Sequence, residues 1–122
     1  VPVNEKVSVV RKLMEEKGVH HVPVMAGSKI EGIVSSVDIL RASFSSAFSA
    51  GGDVDQALDH TVTLEDIMTK EVMSLKVNDN VRHAAEMLAT SHYNSLLIVD
   101  DAGDLAGIVT SKDLINYLLE QY

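Results

Sequence analysis

The 122 residues contain no Cys, are 46% hydrophobic with only two Phe and three Tyr, and carry a formal net charge of −8. Without Cys, disulfides, thiolate zinc sites and thiol catalysis are excluded. The acidic balance argues against nucleic acid or an anionic membrane as the main partner, and no apolar run approaches the roughly 20 residues of a membrane span. A single compact cytoplasmic unit with an aliphatic core is expected, large enough to bury about two-thirds of its unfolded surface. No signal peptide is visible, and Val1 in place of Met suggests a piece of a longer product.

In chain order, Asn4 is placed to cap a helix carrying Val7, Val10, Leu13 and Met14, which Gly18 ends. His21 to Met25 reads as a strand, Gly27-Ser28 as a turn, Ile30 to Val34 as a strand, and Ser36 opens a helix. Pro23 removes one ladder donor, so its strand belongs at an edge or is irregular there. Ser43 to Phe48 extends the helix with Phe44, Ala47 and Phe48 on one side, where they would pack on the module or on a second subunit. Ala50-Gly51-Gly52 breaks it, and Asp53 caps a short turn holding Val54, Ala57 and Leu58. The stretch 43–62 is small and polar enough to be a mobile linker. Thr63-Leu64-Glu65-Asp66 starts a short helix into Ile67-Met68.

Val72 to Val77 largely alternates and suits a strand, and Asn78 caps a helix from Asp79 to about Ser91 with Val81, Ala85, Leu88 and Ala89 inward. Asn94 to Asp100 is a buried strand, Asp101 to Asp104 a hairpin turn, and Leu105 to Val109 the next strand. Ser111 to about Glu120 closes the chain as a helix with Leu114, Ile115, Leu118 and Leu119 inward.

These elements form two copies of one pattern. Residues 1–42 and 75–117 align with a shift of 74, becoming 75 after one inserted residue near Asp101. Val3-Asn4 matches Val77-Asn78, Val7 matches Val81, and Gly32-Ile33-Val34 matches Gly107-Ile108-Val109. Ser36 and Asp38 match Ser111 and Asp113. A duplication is the economical reading, giving an α+β (mixed α/β) fold in which each repeat runs strand–helix–strand–strand–helix and a pseudo-twofold pair shares one core. The repeats span 1–42 and 63–122, and the first is truncated because its opening strand would lie almost wholly before Val1.

Each repeat carries a corner where a strand turns straight into a helix: Gly32-Ile33-Val34-Ser35-Ser36-Val37-Asp38 and Gly107-Ile108-Val109-Thr110-Ser111-Lys112-Asp113. Such a corner offers glycine for close approach, free helix N–H groups, hydroxyls and a carboxylate. Thr110, Ser111 and Lys112 can hold phosphate oxygens, and Asp113 can accept from a vicinal ribose diol. Ser74, Ser95, Leu96 and Leu97 would surround a flat base. Ser35, Ser36 and Asp38 repeat these parts in the first corner, but Val37 stands where Lys112 does, so the second corner suits an anionic ligand better. The competing reading is a capping box that needs no ligand, and Thr63-x-x-Asp66 has the same spacing without the strand.

The tandem units, the Ile67-Met68-Thr69-Lys70-Glu71-Val72 lead-in and the two Gly-Ile-Val-(Ser/Thr)-x-x-Asp corners resemble a CBS-domain pair, or Bateman module. That resemblance implies paired three-stranded sheets with flanking helices, two pseudo-symmetric clefts and a disc-like homodimer. It also implies adenosine-containing ligands, namely AMP, ADP, ATP, S-adenosylmethionine or NADH, bound to regulate a downstream protein by shifting the arrangement of repeats or subunits. In such a module His20, His21, Val22 and Pro23 border the adenine pocket of the first repeat, as Asn94 and Ser95 do in the second. The resemblance also allows a stand-alone protein, an accessory domain of a larger enzyme or transporter, or a purely structural dimerisation module.

No catalytic constellation is present: there is no activated nucleophile, no phosphate loop, and Asp38 and Asp113 belong to different clefts in the family geometry. His20 and His21 point to opposite faces of a strand and cannot share a metal without distortion, and no metal or obligatory cofactor is expected. His60, His83 and His92 read as surface residues and the five Met as core filler. Arg11 and Arg82 are either phosphate contacts or solvated helix charges.

Overall fold

A computed structural model describes the backbone of residues 1–50 and 54–122 and the side chains of 1–44 and 55–122. The chain forms two compact units, Val1–Glu71 and Val72–Tyr122, in place of the single unit its length suggests.

In the first unit α1 (Val7–Lys17) leads to the hairpin β1 (His21–Ala26) and β2 (Lys29–Ser35), then α2 (Ser36–Ala50), α3 (Val54–Thr61) and α4 (Leu64–Ile67). Strand alternation sends Val22, Val24 and Val34 to one face, where they meet Val7, Val10 and Met14 of α1 and Ile39, Leu58, Leu64 and Met68. Residues 54–61, expected within a mobile linker, form a helix whose Leu58 is fully buried. The break at Gly51-Gly52, the Asp53 cap, and the packing of Ala47 and Phe48 lie outside the described residues, while Phe44 is two-thirds exposed.

The first sheet is two-stranded, not three-stranded. The stub of its opening strand survives as Val1–Val3: the Val3 N–H donates to the Met25 carbonyl and the Met25 N–H to that of Val1, both at 2.8 Å. The second unit has the full arrangement, with β3 (Ser74–Lys76) parallel to β4 (Ser95–Val99) and β4 antiparallel to β5 (Leu105–Thr110). There the Leu97 N–H donates to the Met73 carbonyl; at the matching position Pro23 has no N–H to give. Both hairpins slip register at the same place, between Val24 and Met25 and between Ile98 and Val99; Leu97 stands where Pro23 does and Pro23 pairs with Ile33 in register, so the slip belongs to the repeat and not to the proline.

Asn4 and Asn78 do not cap their helices. In each repeat a tight turn comes first, closed by Glu5 N–H to the Pro2 carbonyl and by Asp79 N–H to that of Lys76, so the helix begins two residues later. Asn80 caps α5 (Val81–Thr90), accepting from the His83 N–H at 2.8 Å. The cap residue of α1 is Lys6, which has no acceptor to offer, and Asp59 of α3 supplies one from a distance. Its carboxylate accepts from the Ser8 N–H at 3.0 Å and the Ser8 Oγ–H at 2.6 Å. Arg11 Nε reaches Asp55 at 2.7 Å beside it, so Arg11 is engaged in an ion pair between α1 and α3.

The inward faces of the second unit's helices differ from expectation. Ala84 and Leu88 are buried in α5, while Val81, Ala85 and Ala89 are exposed. In α6 (Ser111–Glu120) only Leu114 packs against the core, and Ile115, Leu118 and Leu119 are exposed.

Asp59→Ala leaves the start of α1 and the buried Ser8 hydroxyl without an acceptor. A loss of about 1–3 kcal/mol in urea unfolding is expected, with no change from Asp101→Ala in an exposed turn.

Candidate functional site

The two corners match bond for bond. The Ser36 N–H donates to the His20 carbonyl and the Ser111 N–H to the Asn94 carbonyl, both at 2.9 Å. The carboxylate of Asp38 accepts from the Ser35 N–H at 2.8 Å while the Asp38 N–H donates to Ser35 Oγ at 3.2 Å. Asp113 and Thr110 repeat both bonds at the same distances. These are complete capping boxes, and Thr63 with Asp66 forms a third.

The boxes set what each corner has left to offer. In both carboxylates one oxygen, Oδ2, holds the box, and Oδ1 takes no hydrogen bond among the described residues. Of the first three amides of α6, those of Ser111 and Asp113 are already paired, which leaves the Lys112 N–H. The corner therefore presents one free amide, the outward carboxylate oxygen, hydroxyls and the exposed Lys112, fewer N–H groups than a bare helix start would provide.

Sheet register sorts the remaining candidates. Ser95 lies opposite Thr110, Leu97 opposite Ile108, and Ser74 opposite Leu97, so these share one face of the second sheet. Leu96 is on the other face, buried with Leu75, Ala84 and Leu88, and has no surface to give a base. Leu97 is also buried, at 1% exposure, whereas Ser74 and Asn94 are exposed. In the first unit His21 faces Ser35 and Pro23 faces Ile33 on the corresponding side, while Val22 is in the core. The expected set thus divides: His20, His21, Ser35, Ser36 and Asp38 gather at one corner, and Asn94, Ser95, Thr110, Ser111, Lys112 and Asp113 at the other. Val22 and Leu96 belong to the cores.

Half-burial of His21 lowers its pKa from the ordinary value of 6.5; the neighbouring His20 charge adds to this and Asp38 opposes it. Arg82 pairs with Glu86 at 3.1 Å on the exposed side of α5, so both candidate arginines sit in ion pairs. Among the described residues no group of three His, Asp or Glu side chains could hold a metal ion, and no helix is long and apolar enough to cross a membrane. A groove of about 480 Å³ between α1 and α2 touches His20 and Ser36 on its way past Arg11, Met14 and Leu40. Sequence reasoning missed the carbonyls of His20 and Asn94 that tie strand to corner, which backbone groups announce only through pairing.

A corner repeated with the same bonds, behind hairpins with the same bulge, defines a tandem repeat protein of strand–helix–strand–strand–helix units. The CBS domain model matches residues 1–45 and 64–120, and the chain belongs to the CBS domain family. Protein MJ1225 of Methanocaldococcus jannaschii is 29% identical over 116 residues, which cover 93% of this chain and 41% of that protein. An inosine-5'-monophosphate dehydrogenase of Korarchaeum cryptofilum is 29% identical over 93% of this chain but only 21% of its own length. The chain therefore spans about two-fifths or less of these relatives. Among solved structures, that of CBSX2 in complex with AMP superimposes with a TM-score of 0.77 at 25% identity, covering 99% of this chain and 87% of that one. The CBS domain pair of protein MJ0100, solved with 5'-methylthioadenosine and S-adenosyl-L-methionine, gives 0.78 at 23% identity over 100% and 90%.

Protonation of His21 favours the unfolded chain, since its folded-state pKa lies below 6.5. Stability is untouched above that value and falls as the pH drops through it. Melting curves at about pH 7.5 and about pH 5.5 should show His21→Gln matching the parent at the higher pH and exceeding it at the lower.

Proposed function

We propose that the protein is a regulatory module that binds an adenosine-containing ligand, AMP before ADP or ATP, at the second corner, and that it acts without catalysis. Its repeats are residues 1–42 and 63–122, joined by 43–62. The observation that carries this reading is the outward Oδ1 of Asp113, held in place by the Thr110 box and set beside Lys112 and the free amide. A fixed carboxylate suits a ribose diol, and an ammonium with an N–H suits phosphate. The AMP complex of a relative that covers this chain almost end to end supports the choice of ligand. S-adenosylmethionine and NADH are the other candidates.

The first corner, with Val37 in place of Lys112, binds a less anionic ligand or a weaker one, with His20, His21 and Pro23 beside it. Binding shifts the arrangement of repeats or of two subunits in a cytoplasmic homodimer, and a protein partner reads that shift. The matches to parts of larger enzymes support the alternative of an accessory regulatory domain. A second reading, a structural module whose carboxylates only cap helices, is favoured by the same box at Thr63 and Asp66, where no strand-to-helix corner exists.

Calorimetry with AMP, ADP, ATP, NADH and S-adenosylmethionine separates these. AMP should bind and stabilise the parent, by about 2.7 kcal/mol at a hundredfold excess over Kd. Asp113→Ala and Lys112→Ala should each weaken binding about tenfold or more, about 1.4 kcal/mol. Asp66→Ala loses an equal cap and should bind as the parent does. Equal binding by Asp113→Ala would overturn the ribose role of its carboxylate, and no binding by any ligand would favour the structural reading.

A further inference from the structure

The two corners share their bonds but not their charge. Lys112 of the second is Val37 in the first, at 50% exposure, so the first corner has no lysine there. The strand entry differs in the opposite sense: Asn94 and Ser95, which do not titrate, have His20 and His21 as their counterparts. The Ser36 N–H bonds the His20 carbonyl, so His21 and Ser35 form a non-hydrogen-bonded pair, the kind that brings side chains closer. Ser35 in turn holds Asp38 through the capping box, and Oδ1 of that carboxylate is left over.

His20 leaves the strand on the other side, into the groove between α1 and α2 that Arg11 and Glu15 also line. His21 is therefore the titratable group on the side of the Ser35 hydroxyl. It is half-buried, and neither imidazole has a hydrogen-bond or ion-pair partner among the described residues. Asp38 is the charge that favours the imidazolium, while burial and the His20 charge oppose it. The other charges around β1 are engaged or distant. Arg11 is paired with Asp55, and the Val1 ammonium sits on the Pro23 carbonyl at 2.9 Å. Lys29 and Glu31 of β2 lie toward the far end of the hairpin, and Arg41 is exposed a turn beyond Asp38. Proton uptake at His21 is thus disfavoured in the free protein, and a bound anion would reverse that balance.

We infer that the first corner is a proton-coupled anion site, which takes a phosphate-bearing ligand together with a proton on His21. The imidazolium supplies the charge that Lys112 supplies in the second corner, but only where the pH allows it. By reciprocity, the ligand raises the His21 pKa by the same factor as the proton raises ligand affinity. One chain thus holds two unlike sites. The second fills according to nucleotide alone, and the first according to nucleotide and acidity together. The proton coupling rests on the corners being nucleotide sites, and it can fail while they stand.

The test is an NMR pH titration, from about pH 5 to about pH 8, of the imidazole and backbone amide resonances of the protein alone, with AMP and with adenosine. AMP should shift the Val37 and Asp38 amides and raise the His21 pKa by about one unit, the change that accompanies tenfold tighter binding to the protonated form. Adenosine, with the same base and ribose but no charge, should leave that pKa where it is. The AMP phosphate itself titrates near about pH 6 in every sample, so the histidine pKa decides and the variants are judged against the parent. His21→Gln should flatten the pH dependence of the Val37 and Asp38 response. Val37→Lys, a change at an exposed helix position, should give the first corner at about pH 7.5 the affinity that the parent reaches at about pH 5.5. An unmoved His21 pKa with the Val37 and Asp38 amides shifted overturns the proton coupling and leaves the nucleotide reading intact. So does a response confined to Lys112 and Asp113 across the range, a rise confined to His20, or an equal rise with adenosine. Silence at both corners overturns the coupling and the nucleotide reading together.

Discussion

The register of the two hairpins is the constraint on which the molecule depends. Pairing Val22 with Val34 and Leu96 with Val109 fixes which side chains enter each core. A slip of one residue would exchange every core side chain with one on the other face. The same register points the backbone groups of Ile33 outward, where Thr69 meets them, and delivers Ser35 and Thr110 to the ends of their strands as helix caps. Core, edge and corner are thus three results of one alignment.

The two copies spend this alignment differently. The first unit adds α3 and α4 to its core, and the Asp59–Ser8 and Arg11–Asp55 contacts pin α3 along α1. Its opening strand is a stub, and Pro23 removes the N–H that would have met a longer one. The second unit has the complete sheet and the cationic corner but lacks the cover that Met68 and Thr69 lay over Gly32 in the first. Each repeat is finished where the other is open.

Much of this was legible in the sequence. The strands, the Thr63 helix start and both corners followed from alternation, turn residues and the repeat itself, because these are local signals with a fixed period. The failures have a common cause. Asn4 and Asn78 look like caps, yet whether a helix starts there depends on the turn formed by Pro2–Glu5 and Lys76–Asp79. The inward faces of α5 and α6 depended on what covers them. The Asp59 contact joins residues 51 positions apart, and no local pattern announces it. For the candidate site, residue types were readable but faces were not: listing Leu96 with Leu97 ignored that neighbours on a strand look opposite ways.

The uneven cores have a consequence for how the molecule breathes. The first core draws on α1, α2, α4 and both strands, with Leu58 of α3 at its centre, whereas α6 contributes no fully buried side chain to the second. Apolar burial is the main resistance to local opening. Opening free energy therefore rises from α6 toward the β1–β2 hairpin, and a protease or solvent deuterium acting on transient openings would enter at the C-terminal helix first. The helix that carries Lys112 and Asp113 is the least anchored in its unit, so the proposed ligand contacts sit on the element with the most order to gain.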